Sequence, residues 1–141
     1  MRNLKVKVKS AKGRTTSSTR WLQRQLNDPF VKEARLQGFR SRSAFKLLEI
    51  DNKFNLLKKG YRVLDLGCAP GGWCQVAAKK VGVKPTENLV TGLDLKQCEA
   101  IVGVTFFETD FLDEGQFLKF EKSLEKKFDV ILSDMAPNAT G

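Results

Sequence analysis

A glycine-rich turn carries the clearest chemical signal in this sequence. It reads DLGCAPGGW and contains Asp65, Gly67, Gly71, Gly72 and Trp73. It follows an apolar segment and precedes a helical one, where glycines permit a tight turn and the helix N-terminus offers N–H groups to a carboxylate or phosphate. Its GxxxGG spacing departs from the dinucleotide-binding GxGxxG, which argues against a nucleotide-dependent dehydrogenase. A purely structural strand-to-helix loop is the alternative.

Three acids follow the later apolar segments. Asp94 lies 22 residues after Gly72, where an acid can bind the hydroxyl groups of a nucleoside ribose. Asp110 and Asp134 come after the next two segments. Each acid by itself could simply cap a loop. Because ligands of open parallel sheets bind at the carboxyl ends of strands, four such ends with polar residues predict one shared ligand site.

The elements that must position these residues alternate between strands and helices. Strands are predicted over 61–66, 89–93, 102–106 and 129–132, and helices over 73–81 and 114–127. The run Val130-Ile131-Leu132 is apolar on both sides, as in a parallel strand covered by helices on both faces. The alternation predicts an α/β fold with a doubly wound parallel sheet.

Two helices are predicted ahead of the sheet. Asp28 and Pro29 are typical of an N-cap and a first helical position, and Gly38 is typical of the residue that ends a helix. Ser41 is expected to cap a second helix that runs to about residue 57. Its apolar positions should pack on a core; they are Phe45, Leu47, Leu48, Ile50 and Phe54.

Positive charge is concentrated in the first third of the chain. Residues 1–46 hold 13 Lys/Arg and 2 Asp/Glu, a balance of +11, whereas residues 47–141 hold 12 and 14, a balance of −2. Such a segment beside a near-neutral body indicates binding to a polyanion such as RNA. A solubilising tail is the alternative, and residues 1–18 also resemble an organellar transit peptide.

The remaining composition is that of an ordinary globular domain. The chain has no histidine, and its three cysteines form no CxxC pair, which argues against a metal site or a disulfide framework. No apolar run approaches the ~20 residues that span a membrane. A reducing, cytoplasmic compartment fits best, with an organellar matrix as the alternative.

Six segments, taken in order, resemble the FtsJ/RrmJ (RlmE-type) family of ribosomal RNA large-subunit methyltransferases. They are SxxRWL (17–22), RSRSAFKLLEID (40–51), DLGCAPGGW (65–73), GLDL around Asp94, TDF around Asp110 and SDMAPNATG (133–141). APGGW and SDMAPN are highly specific as a pair. The arginine-rich RSRSAFK block separates this family from generic methyltransferases.

The resemblance implies S-adenosylmethionine-dependent methylation of a ribose 2′-hydroxyl, expected on a uridine, in 23S-type large-subunit RNA or the large ribosomal subunit. Cofactor contacts are implied for Asp65, Gly67, Gly71, Gly72, Trp73, Asp94 (ribose), Asp110 (adenine edge) and Asp134. Lys46 and Asp134 match two members of the family's catalytic Lys-Asp-Lys-Glu set, without a metal. Contacts to RNA are implied for Arg20, Arg40, Arg42 and Lys46.

The second lysine and the glutamate of that set follow SDMAPN in the family, whereas this chain ends at Gly141. We therefore expect a Rossmann-like methyltransferase fold truncated after its fourth parallel strand, whose apolar edge would be exposed. Three parts are predicted: a disordered basic tail (1–18), a helical RNA-contacting extension (19–58) and a partial methyltransferase domain (59–141). The full-length protein is expected to be a monomer. A non-catalytic RNA-binding module with the same fold is the alternative function.

Overall fold

The structure is a computed structural model that describes residues 7, 12–13 and 15–135. The helices are α1 Thr16–Asn27, α2 Pro29–Leu36, α3 Ala44–Phe54, α4 Gly72–Val81 and α5 Glu114–Ser123. The strands are β1 Val63–Leu66, β2 Val90–Asp94, β3 Val104–Glu108 and β4 Val130–Ser133. No helix in these described ranges is long and apolar enough to cross a membrane.

The four strands form one parallel sheet in the order β3-β2-β1-β4. Val63 of β1 is in register with Val90 of β2 on one side and with Val130 of β4 on the other. From β1 the chain therefore builds β2 and β3 on one side and then returns to add β4 on the other side of β1. This arrangement confirms the predicted α/β fold and makes the carboxyl end of β1 a topological switch point.

The central strands β1 and β2 are covered on both faces, as their apolar runs predict. The expectation that helices cover both faces of the run Val130-Ile131-Leu132 was wrong, since Ile131 of the edge strand β4 is 64% exposed. One face packs under α3 and α4, where Leu47, Val63 and Val76 are almost fully buried. The other packs under α5 through Leu64 and Phe120. Consecutive residues of β1 thus enter different halves of the core, since successive side chains of a strand point to opposite faces.

The helix ahead of α3 begins and ends as predicted. A carboxylate oxygen of Asp28 accepts N–H groups of Phe30 at 2.8 Å and Val31 at 3.4 Å, which satisfies two donors of the first turn of α2. Gly38 follows the helix with a φ of +78°. This left-handed backbone favours glycine, which explains why a glycine ends the segment.

The prediction for the second helix was wrong at both ends. Ser41 does not cap it, because residues 41–43 form a turn in which the hydroxyl oxygens of Ser41 and Ser43 lie 2.7 Å apart. The helix begins at Ala44 and stops at Phe54, where Asn55 adopts a left-handed conformation with a φ of +50°. Phe54, predicted to be in the core, is 61% exposed because the helix ends there.

Other boundaries move by a few residues. The predicted helix over 114–127 stops at Ser123, because Leu124 turns extended and reaches the core from outside the helix. The strand expected over 102–106 is displaced to Val104–Glu108. Helix α1 begins at Thr16, capped by the Thr15 hydroxyl, so that residues 16–18 of the predicted tail are helical. Most of the remaining tail and residues 136–141 lie outside the described ranges.

One buried carboxylate joins α3 to the start of the sheet domain. Asp51 is 6% exposed, and its Oδ1 accepts the N–H of Leu57 at 2.8 Å. Its Oδ2 lies 3.5 Å from Nζ of Lys80 on α4. Asp51→Ala should lower the free energy of unfolding by about 1–3 kcal/mol, because the buried N–H of Leu57 loses its acceptor.

Urea denaturation of the two proteins measures this loss. Lys80→Ala is the matched control, since it breaks only the longer ion pair and leaves the acceptor of the Leu57 N–H in place, so it should cost less than Asp51→Ala. Equal losses in the two variants would contradict a dominant role for the hydrogen bond to Leu57.

Candidate functional site

The glycine-rich turn is held against the end of β2. The N–H groups of Gly67 and Cys68 donate to the Leu93 carbonyl at 2.8 and 3.1 Å. Gly67 has a φ of +71° and Gly71 a φ of +113°, values that favour glycine. The peptide bond between Ala69 and Pro70 is cis. The two left-handed glycines thus allow the tight turn between β1 and α4.

The segment that leads into α3 lies directly on this turn. The indole nitrogen of Trp73 donates to the Ser43 carbonyl at 2.8 Å. A side chain at position 72 would overlap the hydroxyl of Ser41, and one at position 71 would lie 3.1 Å from a guanidinium nitrogen of Arg40. The two glycines therefore allow the basic extension to approach the turn. The sequence predicted only a tight turn and the approach of a ligand at these glycines.

Arg40 ties this segment to two loops at once. Its Nη1 donates to the carbonyls of Pro70 at 3.2 Å and Glu99 at 2.6 Å, and its Nη2 donates to that of Ala100 at 3.0 Å. The carboxamide of Gln75 on α4 adds a second link, since it accepts the N–H of Arg40 at 2.8 Å and donates to the Gly38 carbonyl at 3.1 Å. The guanidinium expected to contact RNA is thus engaged with the protein backbone.

Lys46 and Asp134 meet although 88 positions separate them. Nζ of Lys46 donates to Oδ1 of Asp134 at 2.7 Å. Lys46 projects from α3, and Asp134 follows the last residue of β4. Their side chains are 62% and 30% exposed, so the pair is open to a substrate from solvent. The structure therefore brings together the two residues that the sequence predicted to be catalytic.

The other two acids at the strand ends differ in position. Asp94 accepts the N–H of Ala69 at 2.9 Å through one oxygen and that of Lys96 at 2.9 Å through the other. It thereby pins the turn and keeps acceptor sites for further donors, because a carboxylate has about four lone pairs. Asp110 instead accepts the N–H of Leu112 at 3.0 Å and forms no hydrogen bond with the described residues of the turn. Neither Asp94 nor Asp110 lines the two cavities, described below, that flank the turn.

Asp65 lies beneath the turn and is only 2% exposed. Burial raises the pKa of Asp65 to about 7, a hydrogen bond from the Cys74 thiol at 3.3 Å opposes the rise, and the charges of Asp134 and Asp94 add to it. Near neutral pH this carboxyl is therefore partly protonated. The hydrogen bond from Cys74 links Asp65 to α4, which follows the turn. Asp65 also lines the neighbouring cavity.

Two cavities flank the turn and share Cys68. One, of about 170 Å³, reaches Asp134; its lining includes Asp65, Gly67, Gly72, Trp73, Ser41 and Ser43. The other, of about 240 Å³, lies by the ends of β2 and β3, with Lys96 and Glu108 in its wall. An elongated ligand with one end near Asp134 and the other near β2 fits this arrangement.

The remaining predicted RNA contacts lie on the extension. Arg20 is exposed on α1. Arg42 forms an ion pair with Asp28 and lies over the Phe30 ring, 5.1 Å from its centroid. Sequence reasoning missed Gln75, Ser41 and Ser43 as residues that hold the site. No local pattern could reveal Gln75 or the Ser43 carbonyl, because their partners are 30 to 37 residues away.

The parallel sheet with its switch point, the glycine turn and the acids at the strand ends are typical of a Rossmann-like ligand-binding fold. Residues 39–141 match the FtsJ-like methyltransferase family. The chain belongs to this family.

Curated relatives extend the match to nearly the whole chain. Ribosomal RNA large subunit methyltransferase E of Ruegeria pomeroyi is 53% identical, with 99% of this chain and 62% of that protein covered. The protein of that name from Azorhizobium caulinodans is 51% identical, with 99% and 58% covered. This chain thus spans about three fifths of the length of these relatives.

A solved structure agrees with the fold. The crystal structure of a ribosomal RNA methyltransferase from Plasmodium falciparum superposes with a TM-score of 0.61 at 37% identity, covering 73% of this chain and 59% of that one. The parallel sheet and its helices are therefore those of this enzyme family.

The raised pKa of Asp65 has a measurable consequence for stability. The folded protein retains a proton that the unfolded chain releases above the ordinary pKa of 3.8. The contribution of Asp65 to the free energy of unfolding therefore falls as pH rises from about 4 to about 7, by up to about 1.4 kcal/mol per pH unit. Asp65→Asn should remove this fall, so its stability relative to the parent protein should increase between pH 5 and 7.

Urea titrations at pH 5, 6 and 7 provide the comparison. Glu125→Gln, which removes an exposed carboxylate, is the control and should show no such trend. A constant difference between Asp65→Asn and the parent protein across these pH values would refute the raised pKa.

Proposed function

We propose that this chain provides the methyl-donor site and part of the catalytic set of an enzyme that transfers a methyl group from S-adenosylmethionine to a ribose 2′-hydroxyl of large-subunit ribosomal RNA. The observation that carries the proposal is the 2.7 Å contact between Lys46 and Asp134 beside the cavity of the glycine turn. The names of the relatives support the RNA substrate. We further propose a monomer that works in a reducing, cytoplasmic compartment.

The residues around the turn suit this cofactor. Acceptor sites remain on Asp94 after its two backbone contacts, and a ribose offers hydroxyl donors to them. The cavity near Asp134 would hold the methionine end and the cavity by β2 and β3 the nucleoside end. Asp110, in this proposal, binds the adenine edge through acceptor sites that its contact with Leu112 leaves open.

Lys46 and Asp134 would position the ribose hydroxyl that accepts the methyl group. A ribose hydroxyl is a poor nucleophile until its proton is removed or polarised. Asp134 fixes the Lys46 ammonium at the cavity, and the ammonium keeps two further N–H donors that can orient a ribose oxygen. When bound, S-adenosylmethionine supplies a methyl group already activated on a sulfonium sulfur. Alignment of hydroxyl and methyl is then the main task of the protein.

The basic extension favours a second candidate, a non-catalytic RNA-binding module. The charge balance of +11 in residues 1–46 would serve either function. A module of this kind should bind RNA with a steep salt dependence, because phosphate contacts release counterions, yet it need not bind S-adenosylmethionine. Calorimetry with the cofactor separates the two candidates.

Lys46→Ala and Asp134→Ala should each lower methyl transfer about 100-fold or more, since the acceptor hydroxyl loses its orienting group. The assay measures transfer of labelled methyl from S-adenosylmethionine to unmethylated large ribosomal subunits by the full-length gene product that carries this sequence. Lys53→Ala, another exposed lysine of α3, is the control and should retain activity. Undiminished transfer in both site variants, or none in the parent protein, would refute the proposal.

Arg40→Gln tests whether Arg40 acts on the turn or on RNA. Loss of the contacts to Pro70, Glu99 and Ala100 should loosen the turn and weaken cofactor binding about tenfold or more, with the salt dependence of RNA binding unchanged. Calorimetry and salt titrations measure the two effects. Arg20→Gln, on exposed α1, should leave cofactor binding unchanged and lower the log–log salt slope of RNA binding by about 1. The same slope change in Arg40→Gln, with normal cofactor binding, would assign Arg40 to a phosphate.

A further inference from the structure

A cavity of about 350 Å³ lies between α1, α2 and the segment that enters α3. Its size falls within the roughly 300–1,000 Å³ typical of small-ligand sites. Aromatic and aliphatic side chains line it, among them Trp21, Val31 and Phe39. Three arginines complete the wall, and no described carboxylate lines it. An apolar cavity with a cationic border suits a flat ring attached to an anion.

Trp21 gives this cavity an accessible stacking surface. Its side chain is 54% exposed, whereas Trp73 is 7% exposed and uses its indole N–H within the protein. Phe39, in the segment that enters α3, forms part of the facing wall. Its ring packs edge-on against Phe45 with ring centroids 5.7 Å apart, which holds this side of the cavity in place. An exposed aromatic ring beside arginines is the arrangement on which unpaired bases stack.

The arginines of the wall are not equivalent. Arg40 is bonded to backbone carbonyls, and Arg42 is paired with Asp28. Arg35, in the last turn of α2, forms no ion pair with any residue that the structure describes. It is therefore the arginine available to a phosphate.

The cavity adjoins the reaction site. Ser41 lines both this cavity and the smaller one that reaches Asp134. A nucleotide in the larger cavity would therefore lie one or a few positions along the strand from a ribose at Lys46 and Asp134. We propose that this cavity, the α1–α2 groove, binds an unpaired base that neighbours the target nucleotide in the RNA, with Trp21 as the stacking residue and Arg35 at the phosphate.

The assignment rests on the proposed function for its RNA substrate, but its test does not depend on methyl transfer. In the full-length protein, Trp21→Ala should weaken binding of a short single-stranded oligonucleotide of ribosomal RNA about 5- to 150-fold, the usual contribution of one stacked base. Trp21→Phe should restore most of the affinity because it keeps a ring. S-adenosylmethionine binding should be unchanged in both variants, which checks that the fold is intact.

Fluorescence gives a second readout that tolerates a loss of stability in Trp21→Ala. The single-stranded oligonucleotide should quench a tryptophan signal that is absent in Trp21→Phe. A fully paired duplex should not quench it, because its bases are already stacked. Equal quenching in the parent protein and Trp21→Phe, or equal affinity in Trp21→Ala, would overturn the assignment.

Two further outcomes separate this proposal from its premise. If Trp21→Ala impairs binding of intact large ribosomal subunits but not of naked RNA, the groove holds a protein and the assignment fails. If Trp21 controls RNA binding while the parent protein transfers no methyl group, the groove stands and the proposed enzymatic function fails.

Discussion

The placement of the basic extension against the glycine turn depends on hydrogen bonds from the guanidinium of Arg40. The guanidinium donates to carbonyls from the glycine turn and from the loop after β2, two segments that the sheet itself does not join. Three hydrogen bonds from one charged, planar group fix its direction as well as its position. Arg40 therefore links the extension, the turn and the loop after β2 at the start of α3.

Two sequence motifs are linked by this contact. The RSRS block needs close access to the turn, and the GG of APGGW permits it, because side chains at positions 71 and 72 would meet Arg40 and Ser41. The glycines thus have a packing role beside any role in ligand binding. Trp73 closes the same interface through its bond to the Ser43 carbonyl. Lys46 lies one helical turn beyond that bond, which explains how it reaches Asp134.

Local patterns predicted much of the fold. The apolar runs identified all four strands, although only β1 and β2 are largely buried and Ile131 of β4 is 64% exposed. Asp28 and Gly38 marked a helix because capping is a property of neighbouring residues. Ser41 misled for the same reason: its residue type suits a cap, but the turn over residues 41–43 is shaped by contacts with distant residues such as Trp73. Gln75 and the backbone role of Arg40 depend wholly on long-range contacts, so no spacing could indicate them.

The topology explains why the candidate chemistry lies at the border of the sheet. The strand that follows β1 in sequence, β2, lies on one side of β1, and β4 lies on the other side. The connections therefore diverge at the carboxyl end of β1, which opens a crevice between the turn and the residues after β4. Asp134 enters this crevice from the sheet, and Lys46 enters it from the extension. Their ion pair, 62% and 30% exposed, adds little to stability in solvent, where such pairs contribute about 0–1 kcal/mol. The positions of both residues are therefore set by the elements that carry them, and the pair stays exposed to solvent.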